Sequence, residues 1–177
     1  MPRNRTMIFV LAILLPFSCF GQGKLFSKEV FDTALRCEKE HPTSFYTAAG
    51  SFYGKGDKYG ASFLFYLGQL RYRYYVSANP DVKEDGDKAI LASLNSVLGD
   101  EINFFLGDHF DNYIIVLDSV IAWDKRHDYT FYPKKKDPQA HDDILDGLVK
   151  LRAYVIDNKE KLIEAHNKTK EQMKDQK

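Results

Sequence analysis

The chain has 177 residues, with 25 basic and 25 acidic side chains, 14% aromatic residues and two cysteines. Its balanced charge gives no sign of the basic excess that marks sequence-independent nucleic-acid binding, so no nucleic-acid partner is expected. Its length suits one domain with a substantial core rather than two.

Residues 1–21 read as an export signal. Arg3 and Arg5 precede an apolar run at 7–17, and Ser18-Cys19-Phe20-Gly21 supplies small residues for cleavage after Gly21. The run is shorter than the ~20 residues of a spanning helix, so no stable membrane span is expected and the product should be periplasmic or secreted. Lipoprotein anchoring through Cys19 is the lesser alternative, because Pro16 stands where a lipobox normally carries Leu. Residues 22–177 then hold 23 basic and 25 acidic side chains, and Cys37 alone, so no intramolecular disulfide can form.

Ser27 is the expected N-cap of a first helix at 27–40, whose stripe is Val30, Phe31, Ala34, Leu35 and Cys37. Pro42 opens a second helix, with Phe45, Ala48, Ala49, Phe52 and Tyr53 inward, that breaks at Gly54-Lys55-Gly56-Asp57. The third, at 59–76, is apolar on nearly every side and therefore expects burial from several directions. Its polar residues Ser62, Gln69 and Arg73 form one line, and Arg71 stands alone on another side. Helices two and three should pair as a hairpin, with Ala49, Gly50, Ala61 and Gly68 allowing close approach.

The run A-G-S-F-Y-G-K-G at 49–56, followed by Ala61 and Phe65, resembles one unit of the tetratricopeptide-like superfamily in its short Sel-type form; Gly50, Tyr53 and Gly56 fall on its G-x-x-Y-x-x-G turn. No second copy recurs at a period of 30 to 50 residues. The resemblance implies a hairpin that stacks helix on helix and serves partner binding rather than chemistry. F-Y-L-G-Q-L-R at 65–71, G-D-E-I-N at 99–103 and W-D at 123–124 also resemble segments of uncharacterised bacterial proteins, some of them associated with toxin immunity.

The connector at 81–87 places Asp81, Asp85 and Asp87 at calcium-loop positions one, five and seven, but Lys83 and Ala92 occupy three and twelve. It reads as a solvated loop whose acids cap the next helix, at 87–98, with Ile90, Leu91, Leu94, Val97 and Leu98 inward and Gly99 as its stop. The run 102–106 fits a helical turn or a buried strand equally well. Asp108, with Asp111 three residues on, should cap a helix bearing Tyr113, Ile114, Val116, Leu117, Val120, Ile121 and Trp123. The loop at 128–137 carries Tyr129, Phe131 and Tyr132 beside three lysines and is expected to pack or to meet a partner. Asp137 and Pro138 start a last helix through Ile144, Leu148, Leu151, Val155 and Leu162, weakened at Gly147, before a disordered charged tail at 167–177. The expectation is an all-α, single-domain bundle of about five to six helices over 22–166.

No H-E-x-x-H, G-x-S-x-G or P-loop pattern is present, and none of the five histidines sits in a ligand pair, so neither metal nor cofactor is expected. The reading that follows is a non-enzymatic interaction domain, an inhibitor or immunity protein occluding another protein such as a secreted toxin or envelope enzyme. Its candidate surface is Ser62, Tyr66, Gln69 and Arg73, joined by Asn103, Trp123 and Asp124, residue types that dominate binding hot spots. Two alternatives stand beside it: a small envelope glycan hydrolase using paired carboxylates, and a structural scaffold. Arg73 could instead pair inside the fold, with Asp108, Asp111 or Asp124 as candidates.

Overall fold

Three helices begin where a side-chain oxygen can take a free N–H of the first turn. Ser27 accepts from Val30, Asp57 from Gly60 at 2.8 Å and Asp137 from Ala140 at 3.0 Å. The computed structural model describes residues 25–175, so the export signal and Cys19 lie outside the described residues. Among these residues there are seven α-helices and no strand: α1 Lys28–Cys37, α2 Thr43–Gly54, α3 Lys58–Ala78, α4 Ala89–Gly107, α5 Phe110–Arg126, α6 Pro138–Asp157 and α7 Lys159–Asp175.

The aromatic helix α3 is the axis of the bundle. It packs against α1, α2, α4, α5 and α6, and its residues from Gly60 to Leu70 are buried apart from the half-buried Gln69. Apolar side chains all round a helix leave no other stable position. The α2–α3 hairpin is closest at Gly68, where an added Cβ would stand 2.5 Å from Phe45 Cβ. Gly56, at φ +88°, makes the turn between them in a conformation that L side chains rarely adopt. Gly50 takes no part in this contact, because a Cβ there meets nothing within 4 Å.

Several boundaries differ from expectation. Helix α4 runs straight through Gly99, which is no stop but a close approach: its Cβ would come 3.0 Å from Phe65 Cζ. The ambiguous run at 102–106 is therefore the last turn of α4. Ile90 and Val97 face out, 45% and 74% exposed, in line with exposed Phe104, while Gly99, Ile102 and Leu106 face the core. Apolar residues on both faces explain why the stretch Glu84–Gly107 is long and apolar enough, by length and composition, to cross a membrane. Asp108 ends α4, and α5 begins after His109 without a side-chain cap. The Asp108 carboxylate instead meets His166 at 3.0 Å and Lys170 at 2.6 Å on α7. The last helix breaks at Asn158 into α6 and α7, and the segment expected to be a disordered tail is helical as far as Asp175. The basic aromatic loop folds back onto the body. Tyr129 is fully buried and donates to Glu40 O, and Tyr132 donates to Ala78 O.

Candidate functional site

Two arginines on α3, two residues apart, have opposite surroundings. Residues spaced by two on a helix point about 200° apart, so one can enter the core while the other leaves it. Arg71 is fully buried: its Nε and Nη2 donate to Glu38 at 3.0 and 2.8 Å, Nη1 donates to Asp124, and Nη2 also reaches His127 O at 3.2 Å. Trp123 Nε1 donates to Glu38 at 3.0 Å, and His141 and Lys134 approach Asp124 at 3.0 and 3.2 Å. Burial raises the Asp124 carboxyl, but the hydrogen bond to His141 and the charges of Arg71 and Lys134 outweigh it and hold it below the usual carboxylate value. Two carboxylates against Arg71 and Lys134 balance without a charged histidine. The network ties the end of α1 to α3, α5 and α6; Arg71, Glu38 and Asp124 at its centre are buried, and Lys134 reaches it from the surface.

Arg73 is exposed and, among the described residues, makes no hydrogen bond or ion pair, whereas Arg152 bonds to Asp118 and Arg36 to Thr33. It stands over a cleft of about 340 Å³ bounded by α3, α4, α5 and α6, within the size range of ligand pockets. Tyr66, Gln69 and Phe65 of α3 line it, with Asn103 of α4 and Tyr113 of α5. The α6 wall is Ile144, Gly147, Leu148 and Leu151, one face at spacings of three, four and seven.

A directed chain of hydrogen bonds forms the floor. Tyr66 Oη donates to Asn103 Oδ1 at 2.6 Å, which leaves the Tyr113 hydroxyl, 2.6 Å away, to donate to Tyr66. Gln69 Nε2 donates at 3.0 Å to Asn95 Oδ1, which also accepts from Tyr46. Tyr66 is almost fully buried, and burial followed by the neighbouring Tyr113 pushes its hydroxyl well above the usual tyrosine value, against a lowering pull from Arg73. Both rings are therefore neutral hydrogen-bonding groups at physiological pH. Asn103 is exposed, its Nδ2 has no partner among the described residues, and it lines the same cleft as the unpaired guanidinium.

Of the seven residues expected to form the surface, the structure gathers Tyr66, Gln69, Arg73 and Asn103 in this cleft. Ser62 is buried and donates to Lys58 O, while Trp123 and Asp124 belong to the Arg71 network. Arg73 meets none of Asp108, Asp111 and Asp124; the inward arginine is Arg71. Sequence reasoning missed Tyr113 and the α6 wall, although a glycine at 147 inside a helix was a signal in plain view. Comparison of the chain with family models, with curated proteins and with solved structures finds no match.

Proposed function

We propose that the chain is an exported, non-enzymatic binding protein that docks on another protein through the Arg73 cleft, in the manner of an inhibitor or immunity protein. One observation carries the reading: Arg73 is a fixed positive charge over a concave, partly apolar site, with no partner among the described residues. A guanidinium so placed supplies a hot spot to an acidic group arriving from outside. The Sel-type resemblance at 49–65 supports it, since such hairpins serve partner binding. The glycan-hydrolase alternative finds no support in the cleft, whose lining among the described residues holds no Asp or Glu.

The test is affinity capture from native envelope extract with the wild-type chain and with Arg73→Met side by side. The expected result is a protein retained by the wild type, lost by the variant, and functionally blocked when the wild type is added back. Recovery of the bait alone, or of the same proteins with both baits, would overturn the proposal.

A further inference from the structure

Gly147 sits in the middle of α6, on the stripe that faces the cleft, and a Cβ there would meet nothing within 4 Å. A glycine inside a helix costs about 1 kcal/mol against alanine, and the usual structural reason for one, close approach of a neighbour, is missing. Gly60, Gly68 and Gly99 each have that reason, with a neighbouring atom at 3.0 Å or less; Gly50 in α2 is as uncrowded as Gly147 but lies outside the cleft. Gly147 is exposed, and its missing side chain leaves the cleft wall open to solvent at that point.

The hydrogen-bond directions around that space leave a surplus of donors. The acceptor of Asn103 is used by Tyr66 and the donor of Tyr113 is turned to Tyr66, so the cleft offers a ligand the donors of Asn103 Nδ2, the second Gln69 Nε2 proton and the Arg73 guanidinium, against the acceptors Gln69 Oε1 and Tyr113 Oη. A carboxylate has two oxygens and about four lone-pair sites, enough for a guanidinium fork and one amide N–H. Among the described residues, Arg73 is the one charged residue lining the cleft. A single negative charge is balanced there; a phosphate monoester, at about −1.5 to −2, would leave charge uncompensated against Ile144, Leu148 and Leu151.

We propose that the cleft is a carboxylate-binding site for a monoanion with an apolar body, the carboxylate held by Arg73 and Asn103 and the body lying along α6 in the space left by Gly147. The proposal rests on reading the Arg73 cleft as the binding face and names the chemistry it recognises. That chemistry can come from an apolar residue bearing a carboxylate at the end of a protein chain, or from a free small acid.

The test titrates the full chain, observed by NMR and calorimetry, with 3-phenylpropionate, its primary amide, phenyl phosphate, and an acetylated pentapeptide ending in phenylalanine as free acid or amide. The expected result is saturable binding of 3-phenylpropionate, weakened about 10- to 100-fold when the charge-assisted bonds are lost, in the amide or in Arg73→Met. Gly147→Leu should abolish binding while its melting temperature stays level or rises, which separates a filled cleft from a damaged fold. If the peptide acid binds at least 10-fold more tightly than the small acid, the source is a chain terminus; the reverse order assigns a free acid. Equal affinity for acid and amide, tighter binding of phenyl phosphate, undiminished binding by Gly147→Leu, or no saturable binding by either acid would each overturn the proposal. Arg73-dependent capture of a protein with no carboxylate binding would overturn this inference and leave the docking reading standing.

Discussion

Replacing Arg71 with methionine is the sharpest perturbation of the fold, because it removes the cation and keeps the volume apolar. Glu38 and Asp124 would be left buried, at 3% and 0% exposure. Asp124 keeps Lys134 and His141, so the larger loss falls on Glu38, whose remaining hydrogen bond comes from Trp123. A stranded carboxylate can escape by taking up a proton. At pH 7 that costs an ordinary glutamate about 3.7 kcal/mol, and at pH 5 about 1 kcal/mol, at 1.36 kcal/mol per unit. The expected loss is therefore about 4 kcal/mol at pH 7, within the range for breaking a buried pair, shrinking toward ~1 kcal/mol at pH 5. Urea unfolding followed by the fluorescence of Trp123, the one tryptophan, measures it; with a slope of about 2 kcal/mol/M the midpoint falls by ~2 M. Arg73→Met is the control and should change stability by less than ~0.5 kcal/mol, as a surface substitution does. A loss below 1 kcal/mol for Arg71→Met at pH 7, or an equal loss for both variants, would refute the account of which arginine is inside.

Three further outcomes follow from the packing and charges. Gly68→Ala should cost about 1 to 3 kcal/mol, since its Cβ would collide with Phe45, while Gly50→Ala, with open space around it, should stabilise by about 0.5 to 1 kcal/mol; paired thermal melts decide. Because Asp124 titrates lower in the fold than an aspartate ordinarily does, its pairing contributes fully above the ordinary value of 3.8 and is lost as pH falls through the lower folded value. Asp124→Asn should therefore flatten the acid limb of the stability curve below pH 3.8, measured by circular dichroism. Val97→Lys should leave stability within ~0.5 kcal/mol, as its 74% exposure requires, and a loss above 1.5 kcal/mol would mean that the outer stripe of α4 is covered in solution.

The all-α architecture was legible because periodicity and caps reported it directly: Ser27 and Asp137 start the helices they were expected to start, and the apolar circumference of α3 put it at the centre. The errors came from residues whose local signal has two physical meanings. Glycine stops a helix or admits a neighbouring ring, and at Gly99 the ring of Phe65 decided it. An arginine among aromatics needs a partner, but which of Arg71 and Arg73 points inward depends on helix phase relative to Glu38 and Asp124, 33 and 53 residues away. Ile90 and Val97 looked inward because α4 carries apolar residues on two faces, and only the position of α3 shows which face is covered. Tyr66, Gln69 and Arg73 of α3 and Asn103 of α4 were legible as cleft residues; Tyr113 and the α6 wall were not.

The spacing of the Arg71 network along the chain also orders its assembly in time. Glu38 lies on the first hairpin's side of the sequence and can meet Arg71 once α1 to α3 exist, whereas Asp124, Trp123 and His141 arrive 52 to 70 residues after Arg71. The guanidinium thus gains one counter-charge from the local segment and the second from a long-range closure. If closure follows this order, Glu38→Gln should act mainly on the folding rate and Asp124→Asn mainly on the unfolding rate, which stopped-flow chevrons measure; the opposite split would refute the order.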